Sequence, residues 1–134
     1  MIRNSFLSIM LSLIFVLSGC RTSRIDNKSK LDGIWTGYGY QFDIAESWEM
    51  ILSCNTKKNE FTIDYPYLGC SGKWKLGKEK GTVFEFEEIL EYGHDVCLDS
   101  VKVVIELLDN NTLNANFFWG GDIRPHAVGG LTRK

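Results

Sequence analysis

The sequence predicts an all-β domain: an eight-stranded antiparallel up-and-down β-barrel or a closely related sandwich. Two observations carry the prediction. Past the first thirty residues, apolar side chains recur at every second position, and turn-forming residues arrive every eight to twelve positions. A third supports it, since no segment there shows the 3.6-residue apolar spacing of an amphipathic helix. Closure is expected because a meander of short strands otherwise leaves two unpaired edges.

The strands are expected at about 33 to 44, 47 to 54, 59 to 65, 70 to 77, 81 to 92, 96 to 108, 112 to 119 and 126 to 133. In the first, Trp35 takes one face and Tyr38, Tyr40 and Phe42 the other, so this strand is either covered on both sides or carries an exposed aromatic patch. Trp48, Met50, Leu52 and Cys54 share a face of the second, and Phe61, Ile63 and Tyr65 one of the third. The fourth aligns Cys70, Gly72, Trp74 and Leu76. The fifth aligns Phe84, Phe86, Glu88, Leu90 and Tyr92. Val101, Val103, Ile105 and Leu107 continue the pattern in the sixth, and Leu113, Ala115, Phe117 and Trp119 in the seventh. Ala127, Gly129, Leu131 and Arg133 share a parity in the last. Between them lie runs rich in Gly, Asn, Asp and Pro, which supply the turns.

The N-terminal region gives an address. One cation, Arg3, precedes an apolar run from Phe6 to Leu17, too short to span a bilayer comfortably. It ends in Leu17-Ser18-Gly19-Cys20, which resembles the cleavage site of bacterial lipoprotein precursors. The resemblance implies removal of residues 1–19 as a signal peptide and lipidation of Cys20, with membrane attachment through several acyl chains. Residues 20–30 then read as the lipidated cysteine and a polar, aperiodic tether, with a reach on the order of 17 Å. The remaining 31–134 form a single domain with one core. Arg21 stands where many inner-membrane lipoproteins carry aspartate, which favours the outer membrane, facing the periplasm.

Composition narrows the partners. The chain holds fifteen Lys and Arg; without Arg3, fourteen face seventeen Asp and Glu, a net charge of −3. A mildly acidic chain without basic runs is a poor nucleic-acid binder. Four Trp, eight Phe and five Tyr supply a large apolar payload for one core.

With Cys20 committed to lipid, Cys54, Cys70 and Cys97 are left in an oxidising compartment, where one pair is expected. Strand order chooses it. Cys54 ends the second strand at one pole, whereas Cys70 opens the fourth and Cys97 the sixth at the other. A bond needs Cα atoms within about 7 Å, and one strand puts Cys54 roughly 23 Å from both. Cys70 with Cys97 is the expected disulfide, and Cys54 the thiol left over.

Two further resemblances follow from these residues. Gly33-Ile34-Trp35 is similar to the Gly-x-Trp that opens lipocalin-type barrels, although this short chain is expected to fill its interior with side chains. Tyr65-Pro66-Tyr67-Leu68-Gly69-Cys70-Ser71-Gly72, then Phe86-Glu87-Glu88-Ile89-Leu90-Glu91-Tyr92-Gly93 with Cys97, and the closing Gly129, Leu131 and Arg133, resemble a family of small exported bacterial domains of unknown function. That family occurs as secreted proteins and lipoproteins and on some membrane-tethered kinases. The resemblance implies the same fold and the same disulfide, and no catalytic role.

Glu88 is the acidic residue of most interest, because its parity places a carboxylate on the apolar face. Unpaired burial costs several kcal/mol or forces the pKa upward, so Glu88 is expected to be a buried structural anchor. Arg133 has the matching parity but lies nearer the opposite pole, while Arg124 and His126 are closer in height. Glu85, Glu87 and Glu91 fall on the solvated face. His94 with Cys97 has a spacing feasible for zinc, but the disulfide competes for the same sulfur and prevails in an exported protein. No Ser-His-Asp set and no phosphate loop is present. No metal site and no cofactor is expected.

The function expected from these features is that of a non-enzymatic envelope lipoprotein whose barrel is a binding or interaction module for an envelope protein, a glycan or a small apolar molecule. Two alternatives stand beside it. One is an inhibitor or immunity lipoprotein acting against a cell-wall hydrolase or toxin; the other is a carrier of a small apolar ligand in a hollow interior.

Overall fold

A computed structural model describes residues 25–134. The proposed signal peptide, Cys20 and the start of the tether lie outside the described residues. Eight strands, β1 Gly33–Gln41, β2 Glu46–Asn55, β3 Glu60–Tyr65, β4 Cys70–Lys80, β5 Val83–Tyr92, β6 Val101–Asp109, β7 Thr112–Phe118 and β8 Ala127–Arg133, close into one barrel in chain order. Every neighbouring pair is antiparallel, and β1 pairs with both β2 and β8, so no edge is left open. The up-and-down barrel is therefore the fold, rather than the sandwich.

Alternation builds the interior. Trp35 of β1, Met50 and Leu52 of β2, Ile63 of β3, Trp74 of β4, Phe84 of β5, Val103 and Ile105 of β6, Leu113 of β7 and Leu131 of β8 are all buried. Burying a single large side chain of this kind contributes about 1.5–3 kcal/mol. The aromatic members meet at angles suited to their quadrupoles: Phe61 and Phe86 lie 4.9 Å apart edge to face, and Trp74 lies 5.6 Å from Phe86.

The two poles differ. At the first, where β1 begins, a single 3-10 turn at Ser29–Leu31 inserts the fully buried Leu31 beneath Trp35, whose indole Nε1 donates to the Leu31 carbonyl at 2.9 Å. Arg133 closes this plug. Its guanidinium lies 4.2 Å over the Trp35 ring and donates to the carbonyls of Lys30 at 2.6 Å, Asn110 at 2.9 Å and Asp32. The Asp32 carboxylate accepts from the Thr56 backbone at 2.6 Å and from its hydroxyl at 2.9 Å, tying the first strand to the β2–β3 turn. Residues 27–30, expected as free tether, are thus part of the folded body: Asn27 also donates its amide to the Gly81 carbonyl at 3.1 Å. Cys54, buried at this pole, has its thiol pushed up to about 12 by burial.

At the other pole the strands end earlier than their apolar pattern suggested. β1 stops at Gln41, and the chain turns through Ala45 at φ 53°. β6 starts at Val101 instead of 96, so Cys97 precedes the strand rather than opening it. The cause is local: Val96 and Cys97 both donate backbone N–H to Gly93, Ser100 sits at φ 57°, and the Asp99 carboxylate accepts from Leu90 and Ser100 backbone N–H. A register shift between Ser71 and Gly72 pairs Tyr92 with Ser71 and Leu90 with Gly72, so Tyr92 leaves the apolar face and is 69% exposed.

The disulfide joins Cys70 to Cys97 with Cα atoms 6.3 Å apart, as strand order required. It pins the β5–β6 loop to the head of β4. Gly93, at φ 83°, makes this possible, because a Cβ there would lie 2.8 Å from the Cys70 sulfur.

Candidate functional site

The barrel is packed with side chains for most of its height and opens at the disulfide pole. There a cavity of about 320 Å³ is lined by Trp48 of β2, Phe117 of β7, Trp119 just beyond it, Val101 of β6, and Val96 and Leu98 of the β5–β6 loop. Ligand-sized pockets begin at about this volume. Its walls follow from the sequence. Gly39 lies opposite Trp48 in the β1–β2 register, and a Cβ on Gly39 would fall 2.6 Å from the indole, so the missing side chain is the space the ring occupies. Trp48 also meets Phe117 edge to face at 6.1 Å. Trp119 is held from outside: its ring stacks on His126 at 4.3 Å, and the His126 Nε2 lies 2.7 Å from the Asp122 carboxylate.

Glu88 forms the floor. Its side chain is 4% exposed, and one carboxyl oxygen, Oε2, accepts from the Trp74 indole at 2.7 Å and from the Tyr65 hydroxyl. Trp74 is its cross-strand partner on β4, and Tyr65 ends β3. No buried side-chain nitrogen or oxygen among the described residues lacks a hydrogen-bond partner, so Oε1, which accepts from no side chain, is turned to the cavity. Burial raises the pKa of Glu88 above the ordinary carboxylate value, the Tyr65 and Trp74 donors oppose that shift, and the charge of Asp99 adds to it. The Tyr65 phenol is pushed well up, first by burial and then by the neighbouring carboxylate.

Glu88 is thus buried on the apolar face, as its parity implied, but its partners are two neutral donors and not a cation. Arg133 is at the plugged pole and only half-buried, which corrects its placement among the buried polar residues. His126 is engaged by Asp122 and Trp119, and Arg124 is exposed. His94 lies 3.7 Å from Asp99, and with Cys70 bonded to Cys97 neither sulfur is available to a metal. Tyr65 and Trp74 were legible only as core residues. The signal that could have singled them out is that each carries a polar tip needing a partner once buried, on the same parity as a carboxylate needing donors.

On the outside of β1, Tyr38 and Tyr40 are exposed, as is Phe42 just beyond the strand, so the aromatic patch is real and the strand is not covered on both faces. Tyr38 pairs with Gly130 and Tyr40 with Val128 on β8, which in turn pair with Asn114 and Asn116 on β7. The bare Gly130 therefore floors a shallow groove with phenols along one bank and amides along the other.

Fold and site together define a small closed up-and-down β-barrel, plugged at one pole and stapled by a disulfide around an aromatic-walled opening at the other. No protein-family model matches the chain, and no curated protein matches it.

Proposed function

We propose that the chain is a non-enzymatic, lipid-anchored envelope protein that binds a small apolar molecule in the mouth of its barrel. One observation carries the reading: at the disulfide pole the packed interior gives way to a cavity of about 320 Å³ walled by Trp48, Phe117 and Trp119. A core that needed only stability would fill such a space, since an apolar void loses dispersion contacts with nothing in return. The sequence Leu17-Ser18-Gly19-Cys20 supports the lipid anchor, Arg21 supports the outer membrane, and a Cys70–Cys97 disulfide suits an oxidising compartment. The binding test is a titration of the soluble domain with phenylbutanol. The indole N–H resonances of Trp48 and Trp119 are expected to shift at one-to-one stoichiometry, and a titration that moves neither sinks the reading. The anchor is tested separately by palmitate labelling, which is expected to vanish in Cys20→Ala.

The outer groove favours a second reading, a glycan surface. Phenol faces stack on the apolar faces of sugar rings, and amides pair with their hydroxyls; Tyr38 and Tyr40 face Asn114 and Asn116 across Gly130 in that arrangement. Titration with peptidoglycan-derived saccharides is expected to shift the Gly130 amide, and Tyr38→Ala to abolish the shift.

A further inference from the structure

We infer that the mouth cavity selects an apolar molecule bearing a primary ammonium group, which docks on the cavity-facing oxygen of Glu88 while its hydrocarbon body lies against Trp48, Phe117 and Trp119. This deepens the mouth-binding reading above and rests on it.

Charge complementarity inside a low-dielectric space favours such a ligand. The cavity is lined by twelve residues, among which Glu88 holds the only carboxylate and no Lys, Arg or His occurs. The groups packed around Glu88 add no cation: Tyr65 from β3 and Trp74 from β4 are neutral donors, Val101 on β6 is apolar, and the nearest loop charge is the carboxylate of Asp99. The protein therefore supplies two donors to Oε2 and leaves Oε1 to whatever enters. A neutral hydroxyl satisfies that oxygen weakly. An ammonium supplies a charge-assisted hydrogen bond where water is excluded, and the negative faces of the indole rings attract the same cation. A carboxylate ligand meets like charge and is rejected. Gln41 at the rim adds an amide that pairs with either kind of head group, so it does not discriminate.

The geometry also sets the ligand's length. The carboxylate lies at the floor and the rim is formed by Ile44, Leu68 and Leu98, so a ligand reaching Glu88 passes its apolar body between the tryptophans. Short amines without such a body gain the ion pair but not the burial.

Three probes of similar size decide the matter on the lipid-free domain at about pH 8, where an alkylammonium keeps its proton: phenylbutylamine, phenylbutanol and phenylbutyrate. The amine is expected to bind about tenfold or more tighter than the alcohol, and the carboxylate to bind weakest. Glu88→Gln is expected to remove the preference for the amine and bring it down to the level of the alcohol measured on the same variant. Because that substitution touches the core, a second variant is placed on the exposed loop. Leu98→Arg puts a cation at the rim without disturbing packing, and it is expected to weaken the amine and strengthen the carboxylate. Equal binding of amine and alcohol to the unmodified domain overturns the ammonium inference and leaves the mouth as an apolar site. Binding of none of the three overturns both.

Discussion

The two poles of the barrel handle buried polarity in opposite ways. At the plugged pole a charged side chain is spent wholly on the fold: Arg133 stacks on Trp35 and donates to three backbone carbonyls that reach it from two segments. At the open pole Glu88 meets two donors through one oxygen and keeps the other at a void. The first arrangement has no room for a ligand and the second has nothing else to fill it. Placement of charge relative to empty space, rather than charge alone, separates an ion spent wholly on the fold from one left with an open face.

The comparison is tested most strongly by removing the staple at the mouth. Replacing Cys70 and Cys97 by serine opens a loop with sequence separation 27, which on the chain-entropy estimate costs about 3.5 kcal/mol. Urea unfolding measures the loss, and the freed β5–β6 loop is expected to weaken phenylbutanol binding at the same time. Arg133→Ala strikes the other pole. Loss of its hydrogen bonds and of its stacking on Trp35 is expected to cost about 2–3 kcal/mol in the same experiment, with the affinity of the mouth unchanged. If that variant folds yet loses the probe, the two poles are coupled and do not act separately.

Gly39→Ala is expected to have a smaller effect. The new methyl would press on the Trp48 indole from 2.6 Å. The expected cost is about 1–2 kcal/mol of overpacking, accompanied by a displaced indole resonance and weaker probe binding. The smallest expected effect is a dependence on pH. The pKa of Glu88 is raised above 4.5 in the folded chain, so its contribution is fully present below the unfolded value and is lost as pH rises through the folded one. Asp32, lowered chiefly by its Thr56 hydrogen bonds, and Asp99, lowered by backbone N–H groups, act in the reverse sense and fail only on acidification. Thermal stability is therefore expected to decline as pH rises out of the ordinary carboxylate range and through the raised value of Glu88, and Glu88→Gln to flatten that decline. A decline unchanged in the variant would assign it elsewhere.

Much of this architecture was legible from alternation alone. Period two placed the inward faces of all eight strands, and strand polarity put Cys70 and Cys97 at one pole and Cys54 at the other. What escaped was set by single residues that interrupt the ladder. Tyr92 flipped outward because a bulge at Ser71 and Gly72 shifts the register, and Val96 to Ser100 left the sixth strand because Asp99 captures backbone donors that a sheet would otherwise use. The candidate site was half visible. The parity of Glu88 announced a buried carboxylate, but its donors stand on β3 and β4, and only the closed geometry brings Tyr65 and Trp74 to the same oxygen. The cavity itself depends on what is absent, a side chain at Gly39 and a strand before Val101, and such gaps have no periodic signature.

The plug bears on orientation. The chain reaches the barrel through Asn27 and the Ser29–Leu31 turn, at the pole farthest from the mouth. With Cys20 in a bilayer, the few residues between it and Asn27 hold that pole within about 25 Å of the lipid surface. A nine-residue strand such as β1 runs about 30 Å, which at the tilt of strands in a closed barrel lifts the opening about 20–25 Å beyond it. On the proposed anchor the aperture would look away from its own leaflet, and a ligand of the mouth would reach it dissolved in the surrounding fluid, not drawn sideways out of the membrane.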